Sequence, residues 1–168
     1  VLKINDWQKS RITYVISEKL FGNISRKKIT ILGFAFKANT NDTRFSPAIN
    51  ICKDLVEEGA ILSIHDPKVS KEQIRKVFKE QNILNQQNFN NNNAFIEGEN
   101  WNYFHDYEDA TNDSDAILIL TEWELYKNIN WKVIYKKMRK PSWIFDTRSI
   151  IAKESLLGTN FNLWRIGN

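Results

Sequence analysis

The chain has 168 residues, 42% of them hydrophobic and six of them tryptophan, which excludes global disorder and suits one domain with a substantial core. Its 24 Lys and Arg against 20 Asp and Glu give a net charge of +4, but the two signs are interleaved. Such mild basicity fits an acidic ligand and excludes the concentrated basic face of a nucleic-acid binder.

The single cysteine, Cys52, leaves no internal disulfide framework and fits a reducing compartment. No apolar run reaches membrane-spanning length and no signal peptide precedes the first helix, so a cytoplasmic, membrane-free domain is expected. The chain starts at Val1 in what already reads as a helical approach, and is taken as a fragment of a longer polypeptide.

Asn5-Asp6-Trp7-Gln8 resembles a capped helix start, and Ile12, Val15, Ile16 and Leu20 follow at helical spacing before Gly22. Residues 1–22 are read as a helix leading from a missing region, and 23–168 as the domain proper. Ile29-Thr30-Ile31-Leu32 is a short, apolar, β-branched run, as expected of a strand buried on both faces. Gly33 ends it. Phe34 to Arg44 then forms a loop carrying Lys37 and Arg44, and Ser46-Pro47 announces a helix, with a hydroxyl at the N-cap and proline at the first turn.

A strand, a cationic loop and a helix N-terminus can receive an anion, although the same unit is also the generic βα turn of any α/β domain. Neither G-x-G-x-x-G nor a P-loop pattern is present. The helix should bury Ala48, Ile49, Cys52, Leu55 and Val56 and stop at Gly59. Cys52 on its apolar side reads as an inert core residue rather than a nucleophile.

Ala60 to His65 is the second strand, closed by Asp66-Pro67. An acid there can grip a ribose, but without the glycine fingerprint the turn chemistry of Asp-Pro is the better reading. Lys71 to Glu80 reads as a helix with Ile74, Val77 and Phe78 inward. Residues 81–100, rich in Asn and Gln, are expected to form a flexible surface insertion because they have little to bury.

A short strand near Trp101 to Phe104, a helical turn near Tyr107 to Thr111, and the apolar strand Ala116 to Leu120 follow, the last placed at the sheet centre. His65 and His105 have no ligand partners at metal spacing, so no metal is expected. Trp131 to Lys140 is a helix whose terminal Lys136, Lys137, Arg139 and Lys140 read as a solvated face. Ser142 to Asp146 is a strand ending just before Arg148, Ile150 to Leu157 reads as helical, and Phe161 to Ile166 as a last strand.

Alternation of strands and helices implies an α/β, three-layer, Rossmann-like domain. Its mostly parallel sheet should have five to six strands with helices on both faces. Ligands of such sheets bind beyond the carboxyl ends of the strands. Lys37, Arg44 and Arg148 all fall there, so they are expected to converge on one rim.

Gly33-Phe34-Ala35-Phe36-Lys37 with Thr40-Asn41-Asp42-Thr43-Arg44, then His65-Asp66-Pro67-Lys68-Val69, Thr121-Glu122-Trp123 and Ile144-Phe145-Asp146-Thr147-Arg148, occur in the order of the C-terminal domain of UDP-glucose 6-dehydrogenase. The chain resembles that family over nearly its whole length except residues 81–100. The resemblance implies the UDP-sugar-binding part of an enzyme that oxidises UDP-glucose twice, with two NAD, to UDP-glucuronate. Phe36, Lys37 and Arg148 match substrate-binding positions, and Arg44 matches a residue reaching towards NAD. The resemblance further implies NAD held mainly by a missing N-terminal domain, a central domain, a catalytic cysteine in a part of the enzyme that this chain does not contain, and a homo-oligomer at full length.

On this reading the chain contributes no catalytic residue and is inactive alone. A GDP-mannose or UDP-amino-sugar dehydrogenase, or a non-catalytic assembly or regulatory module, are the alternatives. Three departures stand out: Thr147 replaces Gly, Ser149 replaces a second Arg, and Phe45 replaces an acid. A Cβ at 147 is expected to restrict a positive φ or close ligand approach.

Overall fold

The structure is a computed structural model that describes residues 2–87 and 94–166. Helix α1 spans Leu2–Lys19 and is followed by strand β1 (Lys28–Leu32), α2 (Pro47–Glu57), β2 (Ile61–His65), α3 (Lys71–Gln87) and β3 (Trp101–Tyr103). The second half runs α4 (Tyr107–Thr111), β4 (Ala116–Ile119), α5 (Glu124–Lys127), α6 (Trp131–Lys137), β5 (Trp143–Asp146), a 3-10 turn (Lys153–Leu156) and β6 (Asn162–Arg165).

The six strands lie in the order β3-β2-β1-β4-β5-β6 and every pairing is parallel. The expected Rossmann-like sheet is therefore present, with its full six strands. Parallel strands need helical cover on both faces, and this explains why β1 and β4, at the centre, are apolar almost without interruption. All four residues of β4 are buried. Helix α1 packs on α2, burying Ile16 and Leu20, while α4 packs on α6.

Chain order reverses between β1 and β4: the connections from β1 lead towards β3, those from β4 towards β6. The carboxyl ends of these two strands thus flank the topological switch point of the sheet.

Boundaries differ from the sequence reading at informative places. Helix α1 is already helical at Leu2, so Asn5 is not its cap. Helix α2 begins as predicted, with Ser46 Oγ accepting from Ala48 N at 3.2 Å and Pro47 in the first turn. Of its residues Ile51 is buried and Ile49 only partly so. Helix α6 ends at Lys137, not Lys140, and 150–157 yields one 3-10 turn rather than a helix.

The predicted helix from Lys71 continues seven residues past Glu80, to Gln87. Phe95 is buried and stacks on Phe78 with ring centroids 3.8 Å apart. Asn82 exchanges two hydrogen bonds with the Phe95 backbone, and Asn100 accepts from Ile96 N and donates to Ala94 O. Here Asn side chains stand in for backbone partners. The Asn run at 90–93 lies outside the described residues.

Candidate functional site

The carboxyl-end rim is built by carboxylates that collect backbone N–H groups. Asp66, 2% exposed, accepts from Phe34 N and Ala35 N through Oδ2, from Lys68 N and Val69 N through Oδ1, and from Trp123 Nε1. It therefore ties the loop after β1 to its own turn and to the segment after β4. Asp146, fully buried at the end of β5, accepts from Arg148 N at 3.1 Å and Ile151 N at 2.9 Å, which fixes the turn bearing Arg148.

Segment 121–123 completes the frame. Thr121 Oγ1 donates to Ala35 O at 2.9 Å, and Glu122 reaches in two directions. Its Oε1 accepts from Ala38 N at 3.3 Å, next to Lys37, and its Oε2 accepts from Arg148 Nε and pairs with Nη2. Partial burial alone would push the Glu122 carboxyl up, but the Ala38 amide and the Arg148 guanidinium outweigh it and hold it below its ordinary value.

Of the residues singled out from the sequence, the structure thus ties the Lys37 segment to Arg148 through one carboxylate. Lys37 is exposed and makes no ion pair or hydrogen bond among the described residues. Phe36 is 46% exposed, and its amide closes the loop onto Asp42 O at 2.7 Å. Arg44 lies further along the same loop and is bound to Asp42, whose carboxyl is held down by those hydrogen bonds. Arg44 contacts neither Glu122 nor the cleft beside Arg148.

That cleft, of about 610 Å³, has Arg148, Thr147 and Arg11 among its polar lining and Ile12, Val15, Leu120 and Trp164 among its apolar walls. Its volume falls within the range of small-molecule sites, about 300 to 1,000 Å³.

The departures at positions 147 and 149 exchange roles relative to expectation. Thr147 has no positive φ; its N and Oγ1 both bond Ile119 O. The left-handed residue is Ser149, at φ 55°. Phe45 is also left-handed, at φ 61°, and 91% exposed, so the aromatic that replaces an acid stands in solvent beside Arg44. Cys52 is wholly buried, and desolvation pushes its thiol up, as befits a core residue.

A dinucleotide would need the crevice at the switch point, and the residues there do not fit one. The loops after β1 and β4 touch directly: a Cβ on Gly33 would lie 2.5 Å from Thr121 Cβ. The acid at the end of β2, which could hold a ribose, is instead saturated by amides. Asp66, Glu122 and Asp146 were not singled out as site residues from the sequence. The signal was present, since each sits inside one of the segments on which the resemblance rests.

Comparison with known proteins gives the chain a family. Residues 30–153 match the family model described as UDP-glucose/GDP-mannose dehydrogenase family, UDP binding domain. The chain is 38% identical over 172 residues to UDP-glucose 6-dehydrogenase 2 of Arabidopsis thaliana, covering 99% of this chain and 35% of that protein. It is 38% identical over 167 residues to UDP-glucose 6-dehydrogenase of Drosophila melanogaster, covering 34% of it. Among solved structures, NDP-N-acetyl-D-galactosaminuronic acid dehydrogenase from Methanosarcina mazei superposes with a TM-score of 0.70 at 22% identity, over 99% of this chain and 30% of that one. The chain thus spans about a third of the length of the relatives it matches. It belongs to the UDP-glucose/GDP-mannose dehydrogenase family, as the UDP binding domain.

Proposed function

We propose that this chain is the nucleotide-sugar-binding domain of an NAD-dependent UDP-glucose 6-dehydrogenase. It would hold UDP-glucose, and later UDP-glucuronate, while other parts of the polypeptide carry out two hydride transfers to NAD. The observation that carries the reading is the bridge from Ala38 N through Glu122 to Arg148. It supports a single cationic rim made from segments more than 100 residues apart, next to a cleft of ligand size.

The roles are those the resemblance implies, and side-chain chemistry suits them. Lys37 supplies a mobile ammonium, a point charge for a phosphate oxygen. The planar guanidinium of Arg148 presents the donors that Glu122 leaves over to a second oxygen, and the Phe36 segment lines the nucleotide side. Arg44, solvent-facing, is assigned to NAD carried elsewhere in the polypeptide. NAD, when bound there, supplies the hydride acceptor; this chain's part is to bind and orient the sugar nucleotide. The identity to UDP-glucose 6-dehydrogenases favours UDP-glucose over GDP-mannose or a UDP-amino sugar. Assembly as a homo-oligomer and a cytoplasmic location belong to the same proposal; no described helix is long and apolar enough to cross a membrane.

Titration calorimetry of this chain with UDP tests the reading. The unaltered chain is expected to bind. Lys37→Ala and Arg148→Ala should each weaken binding at least about fivefold, roughly 1 kcal/mol, as befits a charge-assisted contact. With UDP-glucose and NAD the chain alone should yield no NADH. Absence of UDP binding, or binding indifferent to both substitutions, would overturn it.

A further inference from the structure

Glu122 presents an anion in the middle of a site read as anion-binding. A carboxylate there should compete with phosphate unless it does something else for the ligand. Its surroundings show what that is. The residues on either side of it are pinned through their side chains, Thr121 Oγ1 donating to Ala35 O at 2.9 Å and the Trp123 indole to Asp66 at 3.2 Å. The carboxylate therefore projects from a fixed platform, and each of its oxygens has a different partner: the amide following Lys37, and the guanidinium of Arg148.

Engaging Nε and Nη2 occupies two of the five guanidinium N–H groups and sets the plane of the ring of donors. Of the three that remain, one on Nη1 and one on Nη2 form the end-on edge that matches two phosphate oxygens. Nη1 has no protein partner among the described residues.

We propose that Glu122 is the positioning residue of the site. It holds the Lys37 loop and the Arg148 fork at a set separation, so that both meet one diphosphate without reorganising. This rests on the nucleotide-sugar reading above and extends it, because it makes the negative charge at 122 favourable for binding a negative ligand. Pre-organised donors bind better because their ordering cost is met before the ligand arrives.

The test is a double-mutant cycle on the UDP affinity of this chain, with uridine as a control lacking phosphate. Glu122→Gln should weaken UDP about fivefold in the unaltered chain and less than twofold in an Arg148→Ala background, while uridine affinity stays level. Amide exchange at Ala38 should accelerate in Glu122→Gln, with the fold kept by circular dichroism. Tighter UDP binding by Glu122→Gln would show that Glu122 is a competing anion and overturn the proposal. Equal losses in both backgrounds, or unchanged Ala38 exchange, would overturn it too. Should the unaltered chain bind no UDP, the nucleotide-sugar reading falls by itself. Ala38 exchange then still decides whether Glu122 holds the loop.

Discussion

The two rims of the sheet use the same charges in opposite ways. At the amino end the cations are dense and several of them are engaged. Lys137 pairs with Glu108 at 3.4 Å and Arg139 with Asp115 at 3.5 Å. Lys140 donates to the carbonyls of Tyr135 and Met138 and lies over the Tyr135 ring. Lys28 bonds Asn112 O, and desolvation lowers its pKa. At the carboxyl end Arg44 and Arg148 are paired as well, with Asp42 and Glu122, but Lys37 makes no ion pair among the described residues, and the buried carboxylates Asp66 and Asp146 are spent on backbone amides. Charge density along the sequence therefore points to the end opposite the proposed site. What sets the carboxyl rim apart is how many backbone amides its buried carboxylates collect.

The largest expected effect tests that distinction at Asp66. Asp66→Ala would strand four amides and an indole N–H, several of them buried. Each unsatisfied buried donor costs about 1–3 kcal/mol, although solvent reaches some of them, so a net loss of at least about 3 kcal/mol is expected. Urea unfolding of this chain measures it. A loss below about 1 kcal/mol would mean that the carboxyl-rim frame does not depend on its carboxylates.

Most of the fold was legible in the sequence, and the reasons are local. β1 and β4 are continuous apolar runs, and the Ser46-Pro47 cap is a side-chain property of two adjacent residues. Lys37 and Arg148 could be assigned to one rim because both follow strands of a parallel sheet. Glu122 follows β4 and falls on the same rim, but its role could not be recognised this way. Its role depends on a contact 84 residues away in sequence to Ala38 and another 26 away to Arg148, and neither leaves a trace in spacing. The ordering of 94–100 escaped for the same reason, since Phe95 finds its place only by stacking on Phe78. The positive φ at Ser149 rather than Thr147 depends on which residue of the turn bonds Ile119 O.

An intermediate effect lies just beneath the site. His65 is buried, with Tyr126 Oη 2.9 Å from Nδ1, and its carbonyl accepts from Gly33 N. Desolvation is the main cause that lowers its pKa, against the opposing charges of Asp66 and Asp106 and with a small like-charge contribution from His105. The sign follows directly. The unfolded chain binds the proton near pH 6.5 while the folded chain does not, so stability is level above about pH 7 and falls as pH drops through that value. The fall from this source ends below the folded pKa. His65→Asn should flatten the stability profile between about pH 7 and pH 5 in denaturant titrations. A profile unchanged by the substitution would place the acid sensitivity elsewhere, on carboxylates such as Glu122.

The smallest effect is the one that separates the two rims most cleanly. Lys137 and Arg139 are partly exposed and their carboxylate partners sit at 3.4 and 3.5 Å, long for charge-assisted bonds. Ion pairs of this kind contribute about 0–1 kcal/mol because solvent screens them and holding two long side chains costs entropy. Lys137→Ala and Arg139→Ala should therefore each change stability by less than about 0.5 kcal/mol. They should also leave UDP affinity within twofold, since they lie at the opposite ends of the strands, beyond a roughly 10 Å screening length at ordinary salt. The value of the pair is as a control on charge alone. Each removes one unit of positive charge, as Lys37→Ala and Arg148→Ala do. If general attraction of an anion to a basic domain were responsible for binding, all four would weaken UDP alike and the effect would fade with salt. A loss confined to Lys37 and Arg148 requires a located contact, because only position distinguishes those two cations from the others.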